Sequence, residues 1–406
     1  MKTSIYLILT IFTLFSCSQK SDKKNADHTD SDENTEVAKT KKIEKVYPSD
    51  SKFDAIASFL AGQDSKNGEF SDLEQMNSFT AFQSNMDQLW KKTNEKLPVI
   101  KDWTTNELED VNKLGGTLFY PFSGADFLHV NLFFPEYDTI VMFALEPIGS
   151  LPDLKQKQKD TTLDNYLNQL KKSMNAILGL SFFRTIAMAD DFKSELDGTL
   201  PLFMHFMKRT GHEVMYQEKV AIQPDGSITN DLSNKADSTY IGNRYYLKKQ
   251  GEEKVKTLYY FAVNIQNSPY VSRGGLVAKG LETRKDLLTF LNKRDVNATY
   301  LKSASYLLHR PTFSIIRDFI LDNSDYLLQD DSGVPVEYFD PVTWDLTFYG
   351  SYIKPISLFA ERHQEALAEI YKEGKNVKPL PFGIGYQYHK GSSNMMLAKK
   401  RKANED

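Results

Sequence analysis

Apolar residues recur along this chain in two rhythms, and the way the rhythms alternate predicts the architecture. Met76, Phe79, Phe82, Met86 and Leu89 stand three and four apart, the stripe of a helix over Glu74–Leu97. Similar spacing predicts helices at Phe53–Leu60, Ala125–Phe134, Leu163–Leu178, Leu200–Lys208, Arg284–Leu291, Thr312–Leu321 and Ser357–Tyr371. Pro135 closes the second of these. Alternation or short apolar runs predict strands at Thr117–Tyr120, Thr139–Glu146, Glu213–Ile222, Arg244–Lys249 and Val255–Asn264, and again at Thr299–Leu308, Tyr326–Gln329 and Leu346–Tyr349. Gln250-Gly251-Glu252-Glu253 between two of them reads as a hairpin turn. Strands alternating with helices predict an α/β (or α+β) fold. Its sheet is mixed, partly parallel and covered by helices, and its N-terminal portion is helical.

The two ends break the pattern. Ile5–Phe15 is an uncharged, mostly apolar run behind Lys2, too short for the roughly 20 residues of a membrane span but suited to a secretory signal. Leu14-Phe15-Ser16-Cys17 follows, and Cys17 is the only cysteine. This tetrad resembles the lipobox of bacterial lipoproteins. The resemblance implies cleavage before Cys17, a lipid on its sulfur, and attachment to a bacterial membrane facing away from the cytoplasm, the outer membrane ahead of the inner. An ordinary cleaved signal with an incidental cysteine, or an uncleaved anchor, remain the alternatives. Residues 17–46 are nearly all Lys, Asp, Glu, Ser, Thr and Asn, so they read as a flexible tether that cannot bury enough surface to order itself. No second linker interrupts 47–398, which reads as a single globular domain, and 399–406 reads as a charged tail.

Composition then narrows the function. The net charge of −4 argues against a nucleic-acid partner held by phosphate contacts. A lone cysteine excludes an internal disulfide, and its lipidation would exclude cysteine catalysis. The chain contains no G-x-S-x-G elbow, P-loop, G-x-G-x-x-G or paired-cysteine zinc spacing, so neither a cofactor nor a metal is expected. His212-Glu213 opens like a zinc-protease helix, but Tyr216 occupies the place of the second histidine. His205 and His363 read as core and face-edge residues.

The densest local pattern is Phe119-Tyr120-Pro121-Phe122-Ser123-Gly124-Ala125-Asp126-Phe127-Leu128-His129. It resembles a family of uncharacterised bacterial envelope proteins with a Phe-Tyr-Pro-Phe-Ser-Gly-x-Asp motif. The likeness extends to Leu308-His309-Arg310-Pro311 and on to Pro335, and it carries no activity. From the residues alone, Ser123 and Asp126 form a capping box. Asp126 and His129, three apart on a helix, share a face and can also orient an imidazole for proton transfer.

Three more polar clusters end candidate strands: Glu146, His309-Arg310 and Asp330-Asp331. If those strands are parallel neighbours, all four clusters meet at one rim, where α/β sheets bind ligands. If not, they are caps and turns. The aromatics of the hairpin, Tyr245-Tyr246 and Tyr259-Tyr260-Phe261, would put half their rings in the core and half on a face that can stack sugars, unless they reflect only the ordinary strand propensity of aromatic residues. The leading expectation is an envelope protein that binds a ligand or partner. The rival is an envelope hydrolase using carboxylates and histidine at the rim.

Overall fold

The computed structural model describes residues 46–180, 196–233, 240–273, 276–389 and 391–401. Cys17 and the segments expected to be a signal sequence and, to residue 45, a tether lie outside them. Tyr47 onward forms one compact unit. Among the described residues there are thirteen strands: β1 (Thr117–Pro121), β2 (Thr139–Ala144), β3 (His212–Ile222), β4 (Ile228–Thr229), β5 (Ile241–Lys249), β6 (Val255–Ala262), β7 (Val271–Arg273), β8 (Leu276–Ala278), β9 (Val296–Leu301), β10 (Tyr326–Gln329), β11 (Trp344–Gly350), β12 (Val377–Lys378) and β13 (Asn394–Lys400). Eleven form one sheet in the order β12-β11-β13-β10-β9-β1-β2-β6-β5-β3-β4, while β7 and β8 pair separately.

The centre of the sheet, β10-β9-β1-β2-β6, is wholly parallel. Antiparallel strands extend it on both sides. The central strands are buried on both faces, as parallel strands must be when crossovers put helices above and below. Alternate side chains divide between two cores. Leu118, Tyr120, Ile140 and Met142 pack under the N-terminal helices. Phe119, Val141 and Phe143 pack under Asp286–Asn292, Ser314–Asn323 and Glu365–Glu373. Phe119 is fully buried, with the rings of Phe143 and Phe319 at 5.2 and 6.1 Å. Truncating it to alanine would cost about 3–5 kcal/mol.

The α/β class and the mixed sheet agree with the sequence pattern, and several boundaries differ for identifiable reasons. The helix expected over Glu74–Leu97 runs Asn77–Asn94, and a second begins at Leu97 with Pro98 in its first turn, where proline's missing N–H costs nothing. Ser357–Tyr371 is not one helix. A 3-10 segment, Ser357–Arg362, precedes the helix Glu365–Glu373, and His363 lies between them, stacked on Tyr352 at 6.1 Å. The strand expected to reach Leu308 ends at Leu301, because Ser303, Ser305 and Tyr306 all turn through positive φ of 52–54°.

The C-terminal tail begins later than charge suggests. Lys399 and Lys400 lie in β13, an unanticipated strand, opposite Tyr326 and Trp344. Lys400 reaches back to donate to the carbonyls of Leu321 and Asp322 at 2.9 and 2.8 Å, capping the end of the helix Ser314–Asn323. Two lysines therefore belong to the sheet because their long stems carry the charge out of it. The hairpin β5–β6 forms as expected, with Gly251 at φ +85° in its turn. It offers no stacking platform, however: Tyr245, Tyr259 and Tyr260 are buried and Tyr246 is half-buried, since both faces are covered.

Candidate functional site

From β1 the chain steps in one direction to β2 and later β6, then returns to the other side of β1 for β9 and β10. The helix Phe127–Phe133, which leads to β2, lies in one core, and Ser314–Asn323, which leads to β10, lies in the other. Strands β1 and β9 therefore flank the switch point, where their carboxyl ends diverge into a crevice. The residue groups that follow β1, β2, β9 and β10 stand along this single edge.

At the crevice four side chains from two strands meet. Asp126 is the N-cap of Phe127–Phe133 and accepts the backbone N–H of His129 at 3.3 Å. Ser123 is not the cap. Its hydroxyl donates to the Gly124 carbonyl at 2.9 Å, because positive φ at Phe122 and Gly124 delays the helix. The Asp126 carboxylate also accepts from Tyr120 at 3.0 Å. Its Oδ1 lies 2.8 Å from Nδ1 of His129, and its Oδ2 lies 2.5 Å from Nζ of Lys302, the residue after β9. Asp126 and Lys302 are 3% and 4% exposed, so this is a buried ion pair with a histidine attached.

The protons follow from the donors. Nδ1 of His129 is 2.8 Å from a carboxylate that only accepts and 3.0 Å from an ammonium that only donates. A proton on Nδ1 suits the carboxylate, and Lys302 gives its own proton to Oδ2. That assignment leaves the lone pair on Nε2. Burial alone would raise the Asp126 carboxyl, but the neighbouring charges and hydrogen bonds of His129 and Lys302 override it and hold it well below the usual carboxylate range. Burial lowers His129 from 6.5 despite the pull of Asp126, so the imidazole is neutral at pH 7 and Lys302 is the resident cation.

Two cavities adjoin this cluster. The larger, about 700 Å³, has Asp126, His129 and Lys302 on its buried side. Ile100, Leu128, Ile177, Phe206 and Phe382 make its walls apolar, and exposed Lys92, Glu95, Lys96 and His389 edge its open side. The smaller, about 220 Å³, lies among the segments that follow β1, β2, β6 and β9 and is lined by Glu146. Lys302 lines both. Among the described residues, half of the eight non-glycine residues with positive φ (Phe122, Ser303, Ser305 and Tyr306) fall beside these cavities or in the turn just beyond them, where strain is commonly stored at functional sites.

The other sequence candidates form a second group. Asp330 and Asp331 follow β10 and are buried, and among the described residues neither joins an ion pair. Asp330 accepts the N–H groups of Ser303 and Ser332 at 2.9 and 3.0 Å and the Ser332 hydroxyl. Asp331 accepts from Tyr306 at 2.5 Å and Asn394 at 2.9 Å. Burial first, and then the charge of Asp331, pushes Asp330 up to about 7. Burial also raises Asp331. The narrow void beside them, about 10 Å³, has no room for a ligand.

His309 is not at a strand end. Seven residues separate it from Leu301, and its ring packs on Tyr306 at 5.1 Å, with its pKa lowered to about 4 by burial. Arg310 is exposed. Neither lines either cavity. Three of the four clusters thus follow strand ends along one edge without sharing a pocket, and Asp126, His129 and Glu146 are the candidate residues that line the cavities. Of the remaining histidines, His205 is a core residue whose Nδ1 meets the Leu60 carbonyl at 3.1 Å, and His212 opens a strand.

Sequence reasoning missed Lys302 and Tyr120. Lys302 did carry a signal, a charge just past the β-branched and aromatic run Val296–Leu301, but the expected strand ran through it. The fold and the site together define a doubly wound α/β protein with its crevice at the switch point. No family model, curated protein or solved structure matches the chain.

Proposed function

We propose that this chain is a lipid-anchored bacterial envelope protein that binds an amphipathic ligand in the larger cavity. One observation carries the reading: an apolar cavity of about 700 Å³ at the switch point has a buried Asp126–His129–Lys302 cluster on one side and Lys92 and Lys96 at its open side. Its size is that of small-molecule sites, roughly 300–1,000 Å³. Apolar walls take the body of the ligand. Lys92 and Lys96, in no ion pair among the described residues, favour an anionic group. Dodecanoate and dodecyl phosphate are suitable probes. Both should bind saturably to the full chain, and Leu128→Trp, which narrows the cavity, should weaken binding about tenfold. Unchanged affinity in that variant would refute the site.

The anchor rests on Leu14-Phe15-Ser16-Cys17. Cys17→Ala should abolish palmitate labelling and release the chain from membranes. Labelling that persists in that variant would refute the anchor.

The hydrolase reading is kept by the Asp126–His129 pair alone. A neutral imidazole with its Nδ1 proton held by a carboxylate can take a proton from water at Nε2. His309 and Asp331 have no part in it, being outside the cavity. His129→Gln separates the readings: a hydrolase loses turnover of an acyl ester, whereas a binding protein shows none to lose.

A further inference from the structure

We infer that the smaller cavity is a separate binding site for a neutral, polyhydroxylated ring the size of one sugar unit. It lies where β9, β1, β2 and β6, four adjacent parallel strands, present their carboxyl ends. Its volume of about 220 Å³ falls below the range of drug-sized pockets. At ~30 Å³ per water in the liquid, it holds about seven waters' worth of volume, enough for a single ring.

The lining fixes the chemistry. Two buried charges, Glu146 and Lys302, face it, and both are already engaged. Lys302 pairs with Asp126 at 2.5 Å, and Glu146 accepts the Leu145 N–H at 3.2 Å. A charged ligand would find one like charge and one occupied partner, so the lining favours a neutral molecule. Its other polar groups both donate and accept. The side-chain amide of Gln266 and Nδ2 of Asn264 have no hydrogen-bond partner among the described residues, and both residues are half-buried at the cavity. Adjacent ring hydroxyls match such amides as acceptor and donor at once. Phe122, half-buried and held at φ +60°, supplies an apolar face for the C–H side of a ring, backed by Phe313 at 6.0 Å. The partition formed by Tyr120, Asp126 and Lys302 separates this site from the larger one.

The test is titration of the full chain with glucose, galactose and N-acetylglucosamine, with glucuronate and dodecanoate as contrasts, followed by calorimetry or ligand-observed NMR. At least one neutral sugar should bind saturably and about tenfold more tightly than glucuronate. Gln266→Leu should weaken it about tenfold while leaving dodecanoate binding and the thermal transition unchanged, and Asn264→Leu, which also removes the acceptor of the Gln266 backbone N–H at 3.1 Å, should weaken it about tenfold with dodecanoate binding unchanged. Leu128→Trp, in the larger cavity, should leave sugar binding intact. The inference is overturned if no neutral sugar binds, if glucuronate binds better, or if sugar affinity survives both amide substitutions. If Gln266→Leu lowers the thermal transition, Asn264→Leu and Phe122→Leu decide by the same readout. Loss of dodecanoate binding alone bears on the larger cavity and leaves this inference standing.

Discussion

Two acid clusters stand at the same edge of one sheet, separated only by β9, and they solve the cost of burial in opposite ways. Asp126 has a cation, Lys302, at 2.5 Å and is held ionised. Asp330 and Asp331 have only hydroxyl, amide and backbone donors, and burial plus mutual repulsion raises the first to about 7. The charged cluster faces a cavity, while the uncharged donors close over the other. Tyr300 on β9 lies between them, its hydroxyl buried without a partner among the described residues and its ionisation pushed up by burial, then by Asp126 and Asp330. A buried carboxylate is thus no marker of a site by itself. What separates the two is whether the charge is kept and whether space is left beside it.

The largest test of this contrast is Lys302→Met. It strands the Asp126 charge in a buried setting and should lower unfolding free energy by about 3–5 kcal/mol in urea denaturation. The double variant with Asp126→Asn should recover most of that loss. A cost under about 1 kcal/mol for the single change would mean that the pair is not buried as described.

The second test is the pH dependence of Asp330. Its folded pKa of about 7 lies above the ordinary 3.8, so the folded chain keeps a proton that the unfolded chain releases. Its contribution is therefore most favourable below about pH 4, falls as pH rises from 4 to 7, and is constant above. Asp330→Asn should remove this slope, so the stability difference between variant and parent should shift by a few kcal/mol between pH 4.5 and 8. His205, His212 and His309, lowered by burial to about 3, 4 and 4, slope the other way and cancel in that difference. A flat difference would show that Asp330 is ionised throughout.

Tyr306→Phe comes third. It removes the hydroxyl that donates to Asp331, whose carboxyl burial raises, and should cost about 1.5–3 kcal/mol in urea denaturation. A cost under about 0.5 kcal/mol would argue that the hydrogen bond to Asp331 is not formed. The smallest stability effect belongs to His129→Gln, which keeps a donor toward Asp126. Stability should fall by about 0.5–1.5 kcal/mol in urea denaturation, the scale of one hydrogen bond in the buried cluster.

The sequence went furthest where the cause is local. Asp126 and His129 are three residues apart, so one turn of helix joins them whatever the rest of the chain does. The heptad-like spacing of Phe79, Phe82 and Met86 and the apolar runs of β1 and β2 were legible for the same reason. Ser123 misled because the capping pattern says nothing of the positive φ at Phe122 and Gly124 that shifts the cap to Asp126. His309 misled because the turn through Ser303, Ser305 and Tyr306 carries no glycine or proline.

Strand content, helix stripes and the Asp126–His129 pair follow from residues near one another in the chain, since periodicity and hydrogen bonding within a turn act over a few residues. The order of β10, β9, β1, β2 and β6 does not, because it depends on which crossover returns past β1. That return brings Lys302 to His129 across 173 residues and closes the ion pair. It also separates Asp330 from any cation among the described residues. Which acids stay charged, and which of them face open space, was decided by packing alone, because desolvation and Coulomb energy depend on distances in the folded chain.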